Sequence, residues 1–237
     1  MPYGTPTTPG QVIPGRLPCN GAILKTPASG GGKLEWVAWG FRNPFGLAWG
    51  PDGCLYCTEN QYDERGCRPV FGAGDLMWKV QPGLWYGFPD YWGGIPLTHP
   101  RFAEKRKEQH VPQRLLACHP NVPPEPVAWL GVRSSSDGFD FSRNPCFGHC
   151  GEAFVAVFGD IVHCGNGKVR RPVGCRVVRV DPCTGVINDF VINRGREAGP
   201  ASKEHNCGIE RPVDARFNND GSSLYVVDFG VMTVEGN

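Results

Sequence analysis

The chain has 237 residues, with 24 Lys+Arg against 23 Asp+Glu, and this near-balance leaves no single-sign field for gripping nucleic acid or anionic lipid. Glycine (33) and proline (23) are abundant, yet 7 Trp, 6 Tyr and 13 Phe supply too many rings for a disordered chain. No run approaches the ~18 apolar residues of a membrane helix, so neither a membrane span nor a nucleic-acid partner is expected, and the length suits one β-rich domain.

Residues 1–20 open with MPYGTPTTPGQVIPG, which has neither a basic start nor an apolar run. They read as a flexible Pro/Gly-rich N-terminal segment, not a signal peptide, and the compartment stays undecided. From residue 21 onward, β-branched and aromatic runs bounded by Gly, Pro, Asn or Asp predict strands. They fall at 22–25, 34–39, 45–49, 55–58, 76–80, 127–130, 139–141, 153–158, 176–180, 186–192, 213–217 and 224–228. Only 102–116, with its run AEKRKEQH between Pro100 and Pro112, has helix-forming composition. The excursion between 58 and 134, carrying WYGFPDYWGG and HPNVPPEP, is too long for a turn and reads as a functional face or a lid.

Internal similarity organises these strands. NPFGLAWGPDGCLYCTEN (43–60) and RPVDARFNNDGSSLYVVDF (211–229) share a strand, an Asp-Gly turn, a Leu-Tyr pair and a second strand ending near an acid. A looser copy runs from SSSDGFDFSRN at 134 to EAFVAVFGD at 152–160. Each copy reads as a hairpin whose turn supplies positive φ, followed by a further strand pair, which is the pattern of a four-stranded propeller blade. About twelve strands make about three blades, fewer than the four to eight of a closed ring. The fold class read here is all-β: a β-propeller of four-stranded blades, over 21–237, about three blades' worth. An open arc of that kind exposes apolar faces near 22–39 and 213–231, so self-association through the open blade edges is an expected property.

The eleven cysteines are an odd number and form no compact framework. Cys54 and Cys57 read as CxxC, but positions i and i+3 on a strand point to opposite faces, so a zinc or redox site there fails on geometry. Cys146, His149, Cys150, His163 and Cys164 are dense enough for a metal, and half-buried reduced thiols are the simpler account.

GFRNPFGLAWGPDGCLYCTENQYDERGCRP, followed by DLMWKVQPGLWYGFPDYWGG and the later copies, resembles the glucose/sorbosone dehydrogenase family of soluble quinoprotein sugar dehydrogenases, six-bladed propellers. The resemblance implies oxidation of a sugar or sugar aldehyde by pyrroloquinoline quinone (PQQ), held with Ca²⁺ over the channel, in proteins that are often periplasmic or secreted. A tricarboxylate cofactor calls for fork-like cations, and the resemblance assigns it Arg42, Asn43, Asn60 and Arg211, with Arg211 taken as the counterpart of Arg42. For Ca²⁺ it assigns the hard oxygens of Glu59 and Asp63, and Asp75 with the carbonyl region of Tyr86 as a second site. Turn capping and blade-to-blade hydrogen bonding are the structural alternatives for these residues.

Two departures from the family pattern stand out. The base histidine expected upstream of Arg42 is absent from 1–40, and no motif marks His99, His110, His119, His149, His163 or His205 as a replacement. The cofactor-binding lysine expected after EAFVAVF is replaced by Gly159 and Asp160. No catalytic residue is assigned, and the oxidoreductase is expected to be incomplete or inactive as this chain. The competing functions are a non-catalytic binding or scaffold propeller and a Ca²⁺-dependent sugar lactonase using Glu59, Asn43 and Asp214.

Overall fold

The computed structural model describes residues 21–64, 66, 68–103, 111–160, 164–165, 168–169, 173–195, 199–203 and 207–232. The segment 1–20, the middle of the expected helix (104–110), and His110, His163 and His205 lie outside them.

The first hairpin is β1 (Ala22–Lys25) and β2 (Glu35–Trp39). A complete antiparallel blade follows, from β3 (Pro44–Trp49), β4 (Leu55–Glu59), β5 (Asp75–Lys79) and, beyond two short strands β6 (Tyr91–Trp92) and β7 (Ile95–Pro96), β8 (Ala128–Gly131). The second complete blade is β9 (Ser136–Phe141), β10 (Ala153–Val157), β13 (Arg176–Val180) and β14 (Ile187–Ile192), with the two-residue strands β11 (Cys164–Gly165) and β12 (Lys168–Val169) inserted. The chain then forms a last hairpin, β15 (Pro212–Phe217) and β16 (Leu224–Asp228). All twelve expected strands form, each within three residues of its anticipated limits. The expected helix does not appear among the described residues: Pro100–Phe102 is one 3₁₀ turn and 111–116 is irregular.

The hairpin turns follow from glycine. Gly53 (φ +74) donates to the Gly50 carbonyl and Gly221 (φ +71) to that of Asn218, with Asp52 and Asp220 accepting from the amide two residues on.

Strand β9 is innermost between β3 and β15. Gly46 of β3 approaches the Asp137 carbonyl and the Trp49 carbonyl accepts from Arg143 Nη2, while on the other side Phe217 N donates to Asp140 Oδ2 and Asn144 Nδ2 donates to the Asp220 carbonyl. These contacts run in the same order along each strand, so β3, β9 and β15 are co-directional and begin on one rim. Each inner strand also carries a bulge near its start, between Pro44 and Leu47, opposite Val155–Val157 in β9, and between Pro212 and Asp214. The bulge is a third copy-to-copy correspondence that composition does not reveal.

The closest approaches of inner strands use glycine: a Cβ on Gly46 would lie 2.6 Å from the Asp137 carbonyl, and one on Gly138 would meet Asp214 Oδ1 at 1.9 Å. Between the two blades, Tyr56, Met77, Phe139, Phe141, Val155 and Val178 form one apolar core. Trp78, Tyr86, Trp92 and Phe102 form a second. Each fully buried apolar side chain contributes roughly 1.5–3 kcal/mol.

The excursion after β5 is no free lid. Gly83 donates to the Val37 carbonyl and Tyr86 to that of Trp39, so the segment extends the edge of β2, while Trp85, Trp92 and Leu97 are buried. It is fastened to outer strands, away from β3, β9 and β15.

Candidate functional site

The rim where the inner strands begin gathers polar side chains, and the bulge register fixes which residues correspond. Pro44, Ser136 and Pro212 are opposite Glu59, Val157 and Asp228. One residue earlier, the carbonyls of Asn43, Ser135 and Arg211 accept from the amides of Asn60, Phe158 and Phe229. Arg211 is therefore the counterpart of Asn43, and the pairing with Arg42 expected from the sequence is one residue out of register. Glu59 and Asp228 are true counterparts, each accepting from amides at the start of its inner strand.

Glu59 is 1% exposed; Oε1 accepts from Arg42 N at 2.5 Å and Oε2 from Trp78 Nε1 at 2.6 Å. Burial pushes its carboxyl up to about 7 against the pull of those two donors. Arg42, a quarter exposed, donates Nη1 to the Asn60 carbonyl at 3.0 Å and Nη2 to Asp63 at 2.8 Å. Asn60 gives Nδ2 to Asp137 at 3.3 Å, while its buried Oδ1 has no partner. Asp75 accepts from Gln61 N, Ser134 Oγ and Ser136 N, tying β5 to β9; burial raises its pKa. Asp137 is pushed up to about 7, first by burial and further by the charge on Asp75.

Four expected site residues, Arg42, Asn60, Glu59 and Asp63, are thus brought together. The others are not. Asn43 is exposed beside them and only its carbonyl is engaged. Tyr86 stacks on Phe41 and its hydroxyl bridges Gln81 N and the Lys79 carbonyl, within the apolar core. Arg211, 5% exposed, donates Nη1 to the Phe158 carbonyl at 3.0 Å and lies over the Phe158 ring, binding its hairpin to the preceding blade. Asp160, standing where a lysine was expected, pairs with Arg133 at 2.6 Å.

The sequence reading missed Asp137, Ser134 and Ser136, although a Ser-Ser-Ser-Asp run leading into an inner strand is an unusual amount of polarity to bury. The described histidines are engaged away from this rim. His99 caps the 3₁₀ turn, His149 sits beside Arg179 and Glu152, and His119 stacks on Trp85 with Nε2 3.0 Å from Asp90.

For Ca²⁺ the carboxylates of Glu59 and Asp75 already accept N–H or O–H donors at both oxygens, and no group of three or more His, Cys, Asp or Glu that could hold a metal ion occurs among the described residues. Asp214 accepts from Ala215 N and Arg216 Nε. For a tricarboxylate quinone, Arg42 and the unpartnered Asn60 Oδ1 fit one edge, but Arg211 is turned into the protein and Asp160 opposes an anion. Taken as a set, these residues do not fit the whole cofactor.

No family model matches the chain, and no curated protein matches it. Solved structures do. The PQQ domain of a pyranose dehydrogenase from Coprinopsis cinerea, in its holo form, aligns with a TM-score of 0.55 at 19% identity, over 82% of this chain and 53% of that one. A carbohydrate-active enzyme of family AA12 from Trichoderma reesei gives 0.53 at 18% identity, over 83% of this chain and 52% of its own. A calcium structure of the Trichoderma reesei family gives 0.51 at 17%, with 83% and 51% covered. The fold is that of the PQQ-dependent sugar dehydrogenase propellers, and the chain spans about half the length of these structures.

Proposed function

We propose that the chain is an arc of a sugar-oxidoreductase propeller of the glucose/sorbosone dehydrogenase type, and that the arc by itself performs no sugar oxidation. Oxidation of a sugar or sugar aldehyde with a PQQ-type quinone belongs, on this reading, to a ring completed by further blades. Arg42, Asn43 and Asn60 would line its rim, Arg211 would brace it, and Glu59, Asp63, Asp75 and the Tyr86 carbonyl would take part in Ca²⁺ binding only after rearrangement. The observation that carries the reading is the rim itself: three co-directional inner strands start there, with a part-exposed guanidinium beside a buried amide oxygen that lacks a donor. A guanidinium there binds the carboxylates of an anionic ligand, and the orphaned oxygen selects a ligand that also donates a hydrogen bond.

A second reading, a non-catalytic binding or scaffold module, is favoured by Arg211 and Asp160, both of which serve blade-to-blade or local pairing. Dye reduction by the purified chain with glucose and other aldoses, in the presence of PQQ and Ca²⁺, is the test. No turnover above the protein-free control is expected, and turnover that Arg42→Ala abolishes would overturn the inactive-arc reading.

A further inference from the structure

The buried carboxylate of Asp90 gathers three stretches of chain that lie apart in sequence. Asp90 is 4% exposed and stands in the turn 87–91. Its Oδ1 accepts from Leu115 N at 2.7 Å and Arg68 Nη2 at 3.3 Å, and its Oδ2 from Leu116 N at 2.7 Å and His119 Nε2 at 3.0 Å. Arg68 belongs to the loop between β4 and β5, and it also donates to the Pro89 and Gln113 carbonyls. That loop carries Asn60 and Asp63 of the rim: Val70 N donates to the Asp63 carbonyl, and Tyr62 Oη to the Tyr91 carbonyl. The excursion and the rim loop are therefore fastened to each other at one acid.

Histidine is the side chain that ordinarily changes charge between pH 5 and 8. The His119 ring lies flat on Trp85, with centroids 5.3 Å apart, and perpendicular to Tyr91 at 4.9 Å. An ionised Asp90 can only accept, so Nε2 keeps its hydrogen. Nδ1 has no hydrogen-bond partner among the described residues, and the side chain is 15% exposed, so a second proton can enter there without breaking a bond. The groups around the ring set the sign of its effect. Asp90 and the Trp85 face favour a cation, and a charged donor strengthens the bond to the carboxylate. Arg68 opposes it from the far oxygen, with its own charge spread over Asp90 and two carbonyls. On the ring's own segment Arg114 turns to the Leu116 and Ala117 carbonyls, and Cys118 is exposed.

We propose that Asp90, His119 and Arg68 form a proton-operated clasp, which tightens when His119 takes up its second proton and so holds the loop bearing Asp63 more firmly against the excursion. The clasp is independent of the sugar-oxidoreductase reading; only the ligand of the rim that it steadies rests on that reading.

Hydrogen exchange of the purified chain at pH 5.5 and 7.5, each amide corrected for its intrinsic chemical rate, is the test. Leu115 and Leu116 report the clasp and Val70 the rim loop. Lowering the pH is expected to raise protection at all three by at least ~3-fold more in the wild-type chain than in His119→Gln, whose amide can keep a bond to Asp90 but cannot titrate. Comparison with the variant removes the pH response of Glu59 and Asp137, which both chains share. Equal pH responses in the two chains, or a difference of opposite sign, would overturn the clasp; so would a response at Leu115 and Leu116 that does not reach Val70. Should His119→Gln fail to fold, the β10 amides of the wild-type chain serve as the reference, and the same outcomes decide.

Discussion

The first complete blade and the last hairpin carry the same run, an Asp-Gly turn followed by Leu-Tyr, and fold it the same way, yet Tyr56 is 3% exposed and Tyr225 64%. The local backbone is a property of the run. Burial is a property of the neighbour: β5 and β9 cover Tyr56, and nothing described covers Tyr225. Around Tyr56 the electrostatics have hardened accordingly, with burial and the Asp52 carboxylate lifting its hydroxyl to about 12. Elements of one repeat therefore differ in stability according to position along the arc.

Truncating the two tyrosines should break the symmetry most. Tyr56→Ala removes a buried ring from between two blades and should cost ~3–5 kcal/mol in urea unfolding, whereas Tyr225→Ala should stay within ~0.5 kcal/mol. Equal losses would mean that Tyr225 is buried in solution.

Next is the rim carboxylate, which the last hairpin replaces with Asp228. Glu59 folds with its pKa raised from 4.5 to about 7, so the folded chain binds the proton more tightly than the unfolded chain does. Its stabilisation is full below the unfolded value and is lost as pH rises toward the folded one. Unfolding free energy should therefore fall between pH 5 and pH 8, by ~2–3 kcal/mol from this group, with Asp137 adding in the same direction. Glu59→Gln should flatten the profile over that window, whatever it does to absolute stability; an unchanged slope would remove Glu59 as its source.

A smaller effect sharpens the comparison of inner strands. Gly46, Gly138 and Asp214 share one register, and the Asp214 carboxylate occupies the space that Gly138 leaves free. Gly138→Ala should cost ~1–3 kcal/mol, and Asp214→Ala in the same chain should recover part of it. Additive losses would argue that the two residues are not in contact.

The strands were legible because each lies between turn residues and carries its own apolar alternation; even the imperfect copy at 134–160 fell into place. The bulge was not, since it is a difference in pairing between strands, and this is why Arg211 was matched with Arg42 instead of Asn43. Of the 102–116 run only the two ends are described, the close of a 3₁₀ turn and an irregular stretch, and the charged residues 104–110 that suggested a helix lie outside the described residues. At the rim, Arg42, Glu59, Asn60 and Asp63 were legible as a cluster because three of them surround one strand end. Arg211 was misplaced because side-chain direction depends on which blade is adjacent, and its guanidinium turns onto Phe158 of the preceding blade. Asp137 and its serines went unread because their partners, Asn60 and Asp75, come from the neighbouring blade 77 and 61 residues away in sequence.

The central claim is that this arc presents only one edge of an anionic-cofactor rim. Fluorescence titration of the purified chain with PQQ, with and without Ca²⁺, addresses it most directly. No saturable binding at micromolar cofactor and no effect of Ca²⁺ are expected; stoichiometric, Ca²⁺-dependent binding lost in Arg211→Ala would contradict the claim.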